Sequence, residues 1–585
     1  MGSSGEKRGE INLFEGRNVQ SLMHEYYAKL FPYREIYEWL VYGNDSKNPQ
    51  ADSSYFSRRE ICFTLDGDIF VRYQSYKSAQ EFGAAVRSRC PAKIDIGPVY
   101  TVNPQERLKY GSYFGPDARE LVFDVDLTDY DDVRSCGDGA HVCTRCWPLM
   151  SAAIKLLDNG LRNAFGFKHI LYVFSGRRGV HAWICDTAAR HLTDEERSAI
   201  ASWFGIFKGH DEGRAKLSLS YGGIADQHPA VKQAYDILYP VWIEKILPGQ
   251  RVFQDPKLFQ VIMKLVPDPA VAERIRARVK TLEGDEEEEG GGGRKGKGGE
   301  ISGSFKVDKD LSKMLAAGND INVAKWKIYE MELKRASEAS TGSTAVALRR
   351  CLLEAVFSFC YPRLDMEVTR KRNHLLKAPF CIHPKTGKVC VPLDPETVDN
   401  FDPDDVPTIY SLLTELRLKA PLKIVEKEGE QDGKEKEEEE KEEEEKNKRK
   451  EKGKEEGEGN DDEDKDDESD RKKRFKGESD DSCELKKQDE SSTKNTQMMS
   501  VSSSSSSKKS DSNSENYNSS LKSNSSNFGS NNEKDPLAPW RRTRMAEAVE
   551  YFEREFLEPL QKTNRQEMLQ KTRAQVQLNQ LKLEF

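Results

Sequence analysis

The chain has 585 residues, 36% of them hydrophobic and 33% charged, with a formal net charge of −9. The charge is uneven: residues 426–535 are almost wholly Glu, Lys, Asp, Ser and Asn, a composition that cannot bury enough apolar surface to offset its ordering entropy. No run of about 18 apolar residues and no apolar N-terminal core is present, so neither a membrane span nor a secretory signal is expected.

Eleven cysteines without regular secretory spacing point to a reducing intracellular compartment. The net charge names no partner, because the acidic tracts mask basic clusters such as RRTR at 541–544. RKKRFK at 471–476 fits a nuclear localisation signal and equally a basic run in a charged tail.

In chain order, residues 1–17 are expected to be flexible. Residues 18–43 carry aromatic and leucine positions at helical spacing, ending near Gly43. EICFTL, DIFVRYQSY, KIDIGPVY and ELVFDVDL then read as strands separated by turns. A helix is expected from Cys146, followed by strands HILYVF and VHAWICD joined by Ser175-Gly176-Arg177-Arg178-Gly179. From 191 to about 283 the pattern turns helical, opening with Thr193 and Glu196 at capping-box spacing. A disordered Gly/Glu-rich spacer at 284–304 follows, then more helix to 360. Strand patterns return in RLDMEV at 363–368 and in a hairpin around Pro384-Lys385-Thr386-Gly387. A helical stretch, 191–360, thus reads as an insertion between 18–190 and 361–425 of one α/β unit. Beyond the 426–535 linker, 536–585 reads as one or two amphipathic helices.

Three constellations carry chemistry. In LVFDVDL, Asp124 and Asp126 share one strand face while Leu121, Phe123 and Val125 share the other. Two carboxylates roughly 6.6 Å apart along a strand need a positive partner if buried; the alternation alone also fits a solvated face. Asp365 in RLDMEV repeats the signature, and the three together would suit two divalent ions in phosphoryl transfer. Arg177 and Arg178 at a glycine-bounded turn offer forked donors to phosphate, with His181 on the next strand; arginine-bearing hairpin tips are also common without function. Asn373, His374, Lys377 and His383 add donors suited to a triphosphate. Cys136, Cys143 and Cys146, with His141 between them, have zinc-site spacing; the bland alternative is buried cysteines at a helix start.

The ordered set FTLDGDIFVRYQSY, KIDIGPVY, LVFDVDLTDYDDVR, CTRCW, FGFKH, YVFSGRRGVHAWICD, YPRLDMEV, NHLLKAPFCIHPKTGKVCVPLD and FDPDDVPTI resembles the small, catalytic subunit of eukaryotic and archaeal-type DNA primases. The resemblance implies an α+β primase-polymerase fold, a palm-like β-sheet with flanking helices, an inserted helical subdomain and a zinc knuckle at 136–146. It implies Asp124, Asp126 and Asp365 as ligands of two Mg²⁺ or Mn²⁺ ions, with Glu60 beside them in the active site. Ser175, Gly176, Arg177, Arg178, Gly179, Val180 and His181 match the incoming-nucleotide loop. Asn373, His374, Leu375, Leu376, Lys377 and His383 match further nucleotide contacts, and Arg72 and Lys93 match basic positions of the palm. One structural zinc is implied at Cys136, Cys143 and Cys146; relatives show a cysteine where this chain has Gly137, and His141 is the substitute ligand expected here.

The function so implied is primer synthesis on single-stranded DNA from NTPs, in the nucleus, with a large primase subunit and the DNA polymerase alpha complex as partners. An inactive primase-like scaffold and a DxD glycosyltransferase are the competing readings. The glycosyltransferase leaves the distant Asp365 and the SGRRGVH loop unexplained.

Overall fold

The computed structural model describes residues 13–418 and 538–583, except 15, 46, 47, 49, 212–213, 218–228, 282–314 and 316. The chain divides into two units, Met1–Ala420 with Lys534–Phe585, and Pro421–Glu533. All described residues belong to the first; the spacer at 284–304 and the linker at 426–535 lie outside them.

Two antiparallel sheets position the chemistry. The first orders its strands β10-β3-β1-β2, with β4 also on β3. Here β1 is Arg59–Leu65, β2 Ile69–Gln74, β3 Lys93–Tyr100, β4 Pro116–Ala118 and β10 Leu376–Lys377. The second orders β11-β6-β7-β5, with β5 Leu121–Asp126, β6 Ile170–Phe174, β7 Gly179–Ile184 and β11 Pro392–Leu393. The apolar runs at β6 and β7 are buried throughout, as expected of strands covered on both faces. Two strands encoded after the helical stretch, β10 and β11, complete the two sheets begun before it. Residues 361–418 are therefore part of the same body as 18–190.

A buried ion network ties the sheets together. Glu120, just before β5, accepts from Arg59 of β1 at 2.8 and 2.9 Å, from Arg119 at 2.8 Å and from the Tyr42 hydroxyl at 2.6 Å. Two guanidinium groups hold its carboxyl far below the usual carboxylate range, against the cost of burial. Removing one partner of such a set leaves an uncompensated buried charge.

The structure departs from the sequence reading at three places. The helix expected over 18–43 is two helices, Val19–Lys29 and Tyr33–Leu40, because Pro32 cannot donate to a continuing ladder. The helical stretch after 191 contains a hairpin, β8 (Phe207–Asp211) and β9 (Arg214–Leu217). RLDMEV is not a strand. Only Leu364 bridges to Val125, and Met366–Arg370 is helical with Asp365 as its N-cap, accepting from the Glu367 N–H. Asp is among the strongest N-caps, and three alternating residues were too few to outweigh it. At 382–389 the expected hairpin survives as a single bridge, Ile382 to Val389, around Gly387 at φ +68°.

The segment after the linker joins the core. Phe552 and Phe556 pack on Trp39 with ring centroids 6.1 and 5.8 Å away, and Phe552 also meets Phe380 at 5.5 Å. The long helix Glu558–Leu583 starts there and runs outward, with Leu569, Val576, Leu578 and Leu581 exposed. Among the described residues no helix is long and apolar enough to cross a membrane.

Candidate active site

β5 is the edge strand of its sheet, paired on one side with β7 and bridged on the other by Leu364. Its pleat buries Leu121, Phe123 and Val125 and turns Asp124 and Asp126 to a partly open face. The Asp365 N–H donates to the Asp124 carbonyl at 3.1 Å, which brings the distant third carboxylate alongside. Asp129 adds a fourth. Burial first, then the charges of Asp126, Asp365 and Asp129, push Asp124 up to about 7. Asp129 is also raised, by burial and then by Asp126. Asp126 is held differently, accepting from the Thr128 N–H and hydroxyl at 2.9 and 2.8 Å and from Arg178 Nε at 2.9 Å. With Asp126 turned onto those donors, the three aspartates do not bring single oxygens within 4.8 Å of one another. Hard oxygen ligands in mutual repulsion are nonetheless the donor set that fits Mg²⁺ or Mn²⁺.

Across β7 stands the cationic half. Register places His181 opposite Asp124 and Gly179 opposite Asp126. The loop between β6 and β7 closes on itself, with the Gly179 N–H donating to Ser175 Oγ at 2.9 Å and the Ser175 N–H to the Gly179 carbonyl at 2.9 Å. Gly176 sits at φ +85°, and a Cβ there would lie 2.8 Å from His383 Cβ; only glycine takes both the angle and the approach. Lys377 of β10 donates to the Ser175 carbonyl at 3.0 Å and Thr386 to the Gly176 carbonyl at 2.7 Å. Segments some 200 residues apart in sequence thus clamp one loop.

Arg177, Arg178, Lys377 and Lys385 crowd His383, which burial and then these cations push down to about 3. His181 is likewise pushed down to about 3 by burial, Lys377 and Lys93. Both imidazoles are neutral at pH 7 and able to donate one hydrogen bond each. His181 Nε2 lies 3.7 Å from Asp124 Oδ1, a contact without ion-pair character in that state.

Other expected residues are placed as follows. Asn373 and His374 are exposed at the entry to β10, while Leu376 and Val180 are buried in the sheets. Leu375 sits over Gly97, where a Cβ would meet it at 2.8 Å. Glu60 is wholly buried and bonded to Arg72 Nε at 2.9 Å, the Tyr73 N–H at 3.1 Å and the Tyr100 hydroxyl at 3.0 Å. Its oxygens hold this part of the first sheet, Arg72 above all, and none of its hydrogen bonds goes to the three aspartates.

The reading of the sequence passed over Asp95, a buried carboxyl on β3 that is 3.0 Å from Lys93 and also close to Lys377. Its signal was the one noticed at Asp124, a lone Asp in the apolar strand KIDIGPVY. Asp129, in the turn after β5, gave no periodic signal.

Cys136, Cys143 and Cys146 bring their sulfurs within 4.8 Å of one another, alone among the described His, Cys, Asp and Glu residues in doing so. A hydrogen bond from the Cys146 thiol draws Cys136 down to about 5 against burial. Three sulfurs this close, one of them drawn toward the thiolate form, are the soft donors that suit zinc. The His141 ring lies over Gly137, where a Cβ would meet its Cδ2 at 2.4 Å, and its nitrogens do not join the three sulfurs.

A carboxylate cluster on and beside one strand, faced by a cation-lined loop on the next, is a charge arrangement that a polyanion together with divalent cations would fit. Residues 123–395 match the DNA primase small subunit family. The DNA primase small subunit of Schizosaccharomyces pombe is 35% identical over 413 residues, covering 70% of this chain and 80% of that protein. Its Drosophila melanogaster counterpart is 37% identical over 415 residues, covering 69% and 84%. A DNA primase small subunit PriS from Archaeoglobus fulgidus is 28% identical over 181 residues, covering 30% and 50%. Among solved structures, the polymerase domain from Mycobacterium tuberculosis ligase D in complex with DNA has 14% identity and a TM-score of 0.20 over 33% of this chain and 67% of that one, too distant to bear on the fold. The chain belongs to the DNA primase small subunit family.

Proposed function

We propose that this chain is a DNA-dependent RNA polymerase that begins short RNA primers de novo on single-stranded DNA, joining NTPs with release of pyrophosphate. The observation that carries the proposal is the opposition of Asp124, Asp126 and Asp365 to the loop of Arg177 and Arg178 across two paired strands. Asp124, Asp126 and Asp365 would hold two Mg²⁺ or Mn²⁺ ions, which when bound would acidify a 3′-hydroxyl and stabilise the departing pyrophosphate.

The chain's own residues supply the rest. Arg177, Arg178 and Lys377 neutralise the triphosphate, and neutral His181 and His383 donate to it without adding charge that would trap the product. Arg178, now paired with Asp126, would be freed to turn to phosphate when cations take over that carboxylate. Glu60 is a positioning residue that fixes Arg72. Asn373, His374 and the Leu375–Leu376 backbone would meet the triphosphate or the sugar. Cys136, Cys143 and Cys146 would hold one structural zinc, with His141 reaching the fourth position only by a turn of its ring away from Gly137. A large primase subunit and the DNA polymerase alpha complex are the proposed partners, and the nucleus the proposed location.

Synthesis on an unprimed single-stranded template tests this, comparing the wild type with Asp124→Ala plus Asp126→Ala. Short RNA from the wild type alone is expected. Template and nucleotide binding with no product from the wild type would favour a scaffold, and equal product from both proteins would remove β5 from the chemistry.

A further inference from the structure

The first sheet carries its most exposed apolar side chains along its β2 edge. Ile69 and Phe70 on β2 are 59% and 64% exposed, and Leu108, Tyr110 and Tyr113 in the segment after β3 are 88%, 42% and 65% exposed. The two stretches touch. Tyr73 of β2 stands 6.2 Å from Phe114, which stacks on Tyr100 at 4.1 Å, and Tyr110 meets Tyr113 at 6.5 Å. Cations are interleaved with the rings: Arg107 lies 4.2 Å and Arg72 5.0 Å from the Tyr73 centroid. Tyr73 holds this place at φ +58°, a backbone angle that costs an aromatic residue about 1–3 kcal/mol.

Register connects this surface to the site. Phe70 is opposite Thr64, and Thr64 is opposite Lys93. Cross-strand partners point to one face, so Phe70 shares the face of Lys93 and, two residues along β3, of Asp95, whose partner is Lys377. A ligand on the aromatic edge would therefore lie on the face that presents Lys93, whose side chain is exposed, and be directed toward the cationic loop.

We propose that this face is a stacking track for single-stranded nucleic acid, delivering the template to the site; the assignment rests on the function proposed above. Bases would stack on Phe70, Tyr110 and Tyr113, and Arg107 would meet a phosphate. Exposed rings with interleaved arginines suit an unpaired strand, since every base presents a π-face. A duplex would hide those faces. Glu106 is engaged by Lys109 at 2.9 Å and so opposes the strand little, while Asp66 and Asp68 in the β1–β2 turn bound the track at its far end.

Fluorescence anisotropy on the full chain tests it, using labelled oligothymidylate and an abasic phosphodiester oligomer of equal length. Phe70→Ala with Tyr110→Ala and Tyr113→Ala should weaken oligothymidylate binding by about tenfold or more, barely change abasic binding, and leave NTP affinity and melting temperature intact. Arg107→Gln should lower the salt slope of binding by about 0.7. Wild-type affinity in the triple variant overturns the track, as does an equal loss on both probes. Unchanged oligonucleotide affinity with altered self-association would assign the face to a second copy of the chain instead. Failure of the wild type to bind either probe would remove the proposed function together with the track.

Discussion

At pH 7 the Asp124 carboxyl stands near its own midpoint, raised to about 7 by burial and by three neighbouring carboxylates. The unfolded chain would titrate it near the ordinary Asp value of about 3.9. Between those two values the folded protein binds more protons than the unfolded one, so stability from this group is present at low pH and lost as pH rises through 7. A divalent cation takes the proton's place. The rise in melting temperature on adding Mg²⁺ should therefore be small at pH 5.5 and grow to pH 8, as a thermal-shift series would read; an increment independent of pH would contradict the account. His181 and His383, pushed down to about 3, stay neutral in the folded protein with and without the cation, so their unfolded-state titration leaves the increment unchanged. The repulsion tolerated at Asp124 is of the kind stored at functional sites, where stability is exchanged for chemistry.

At the level of elements, the site depends on how closely β7 approaches β5. A Cβ on Gly179 would lie 2.9 Å from the Val125 carbonyl oxygen, a backbone atom with nowhere to move. Gly179→Ala should cost about 1–3 kcal/mol and weaken NTP binding along with it, measured by denaturant titration and isothermal calorimetry; a variant of wild-type affinity would show that the strand spacing does not set the loop. In the zinc knuckle, Cys146→Ser should drop bound zinc well below one equivalent by elemental analysis and lower the melting temperature, whereas full zinc retention would exclude this sulfur as a ligand. Much of this was legible in the sequence. Alternation located β5 and its aspartates, and glycines marked the β6–β7 turn, because periodicity and left-handed angles are local properties. Asp365 was legible as a third carboxylate to set beside Asp124 and Asp126 but not as a helix cap, since capping competes with alternation over too few residues to separate. Nor was the burial of Glu60 against Arg72, Tyr73 and Tyr100 legible, because it depends on pairing between strands.

At the scale of the whole molecule, the segment beyond the charged linker completes the core. Trp540, Met545, Val549, Phe552, Phe556 and Leu560 are buried, and Phe552 seals Trp39 and Phe380. Phe552→Ala should destabilise the protein by about 3–5 kcal/mol in chemical denaturation, and a loss under 1 kcal/mol would mean that the segment is an accessory. The same breadth of contact explains why β10 and β11, encoded after the helical stretch, finish sheets begun some 300 residues earlier. Asp124, Asp126 and Asp365 are proposed to hold cations between themselves and a triphosphate on the SGRRG loop. Anomalous diffraction from crystals grown with Mn²⁺ and a non-hydrolysable NTP tests it most directly. Two manganese peaks ligated by these three carboxylates are expected, with the triphosphate against Arg177, Arg178 and Lys377. Manganese bound elsewhere, or a triphosphate seated away from that loop, would contradict it.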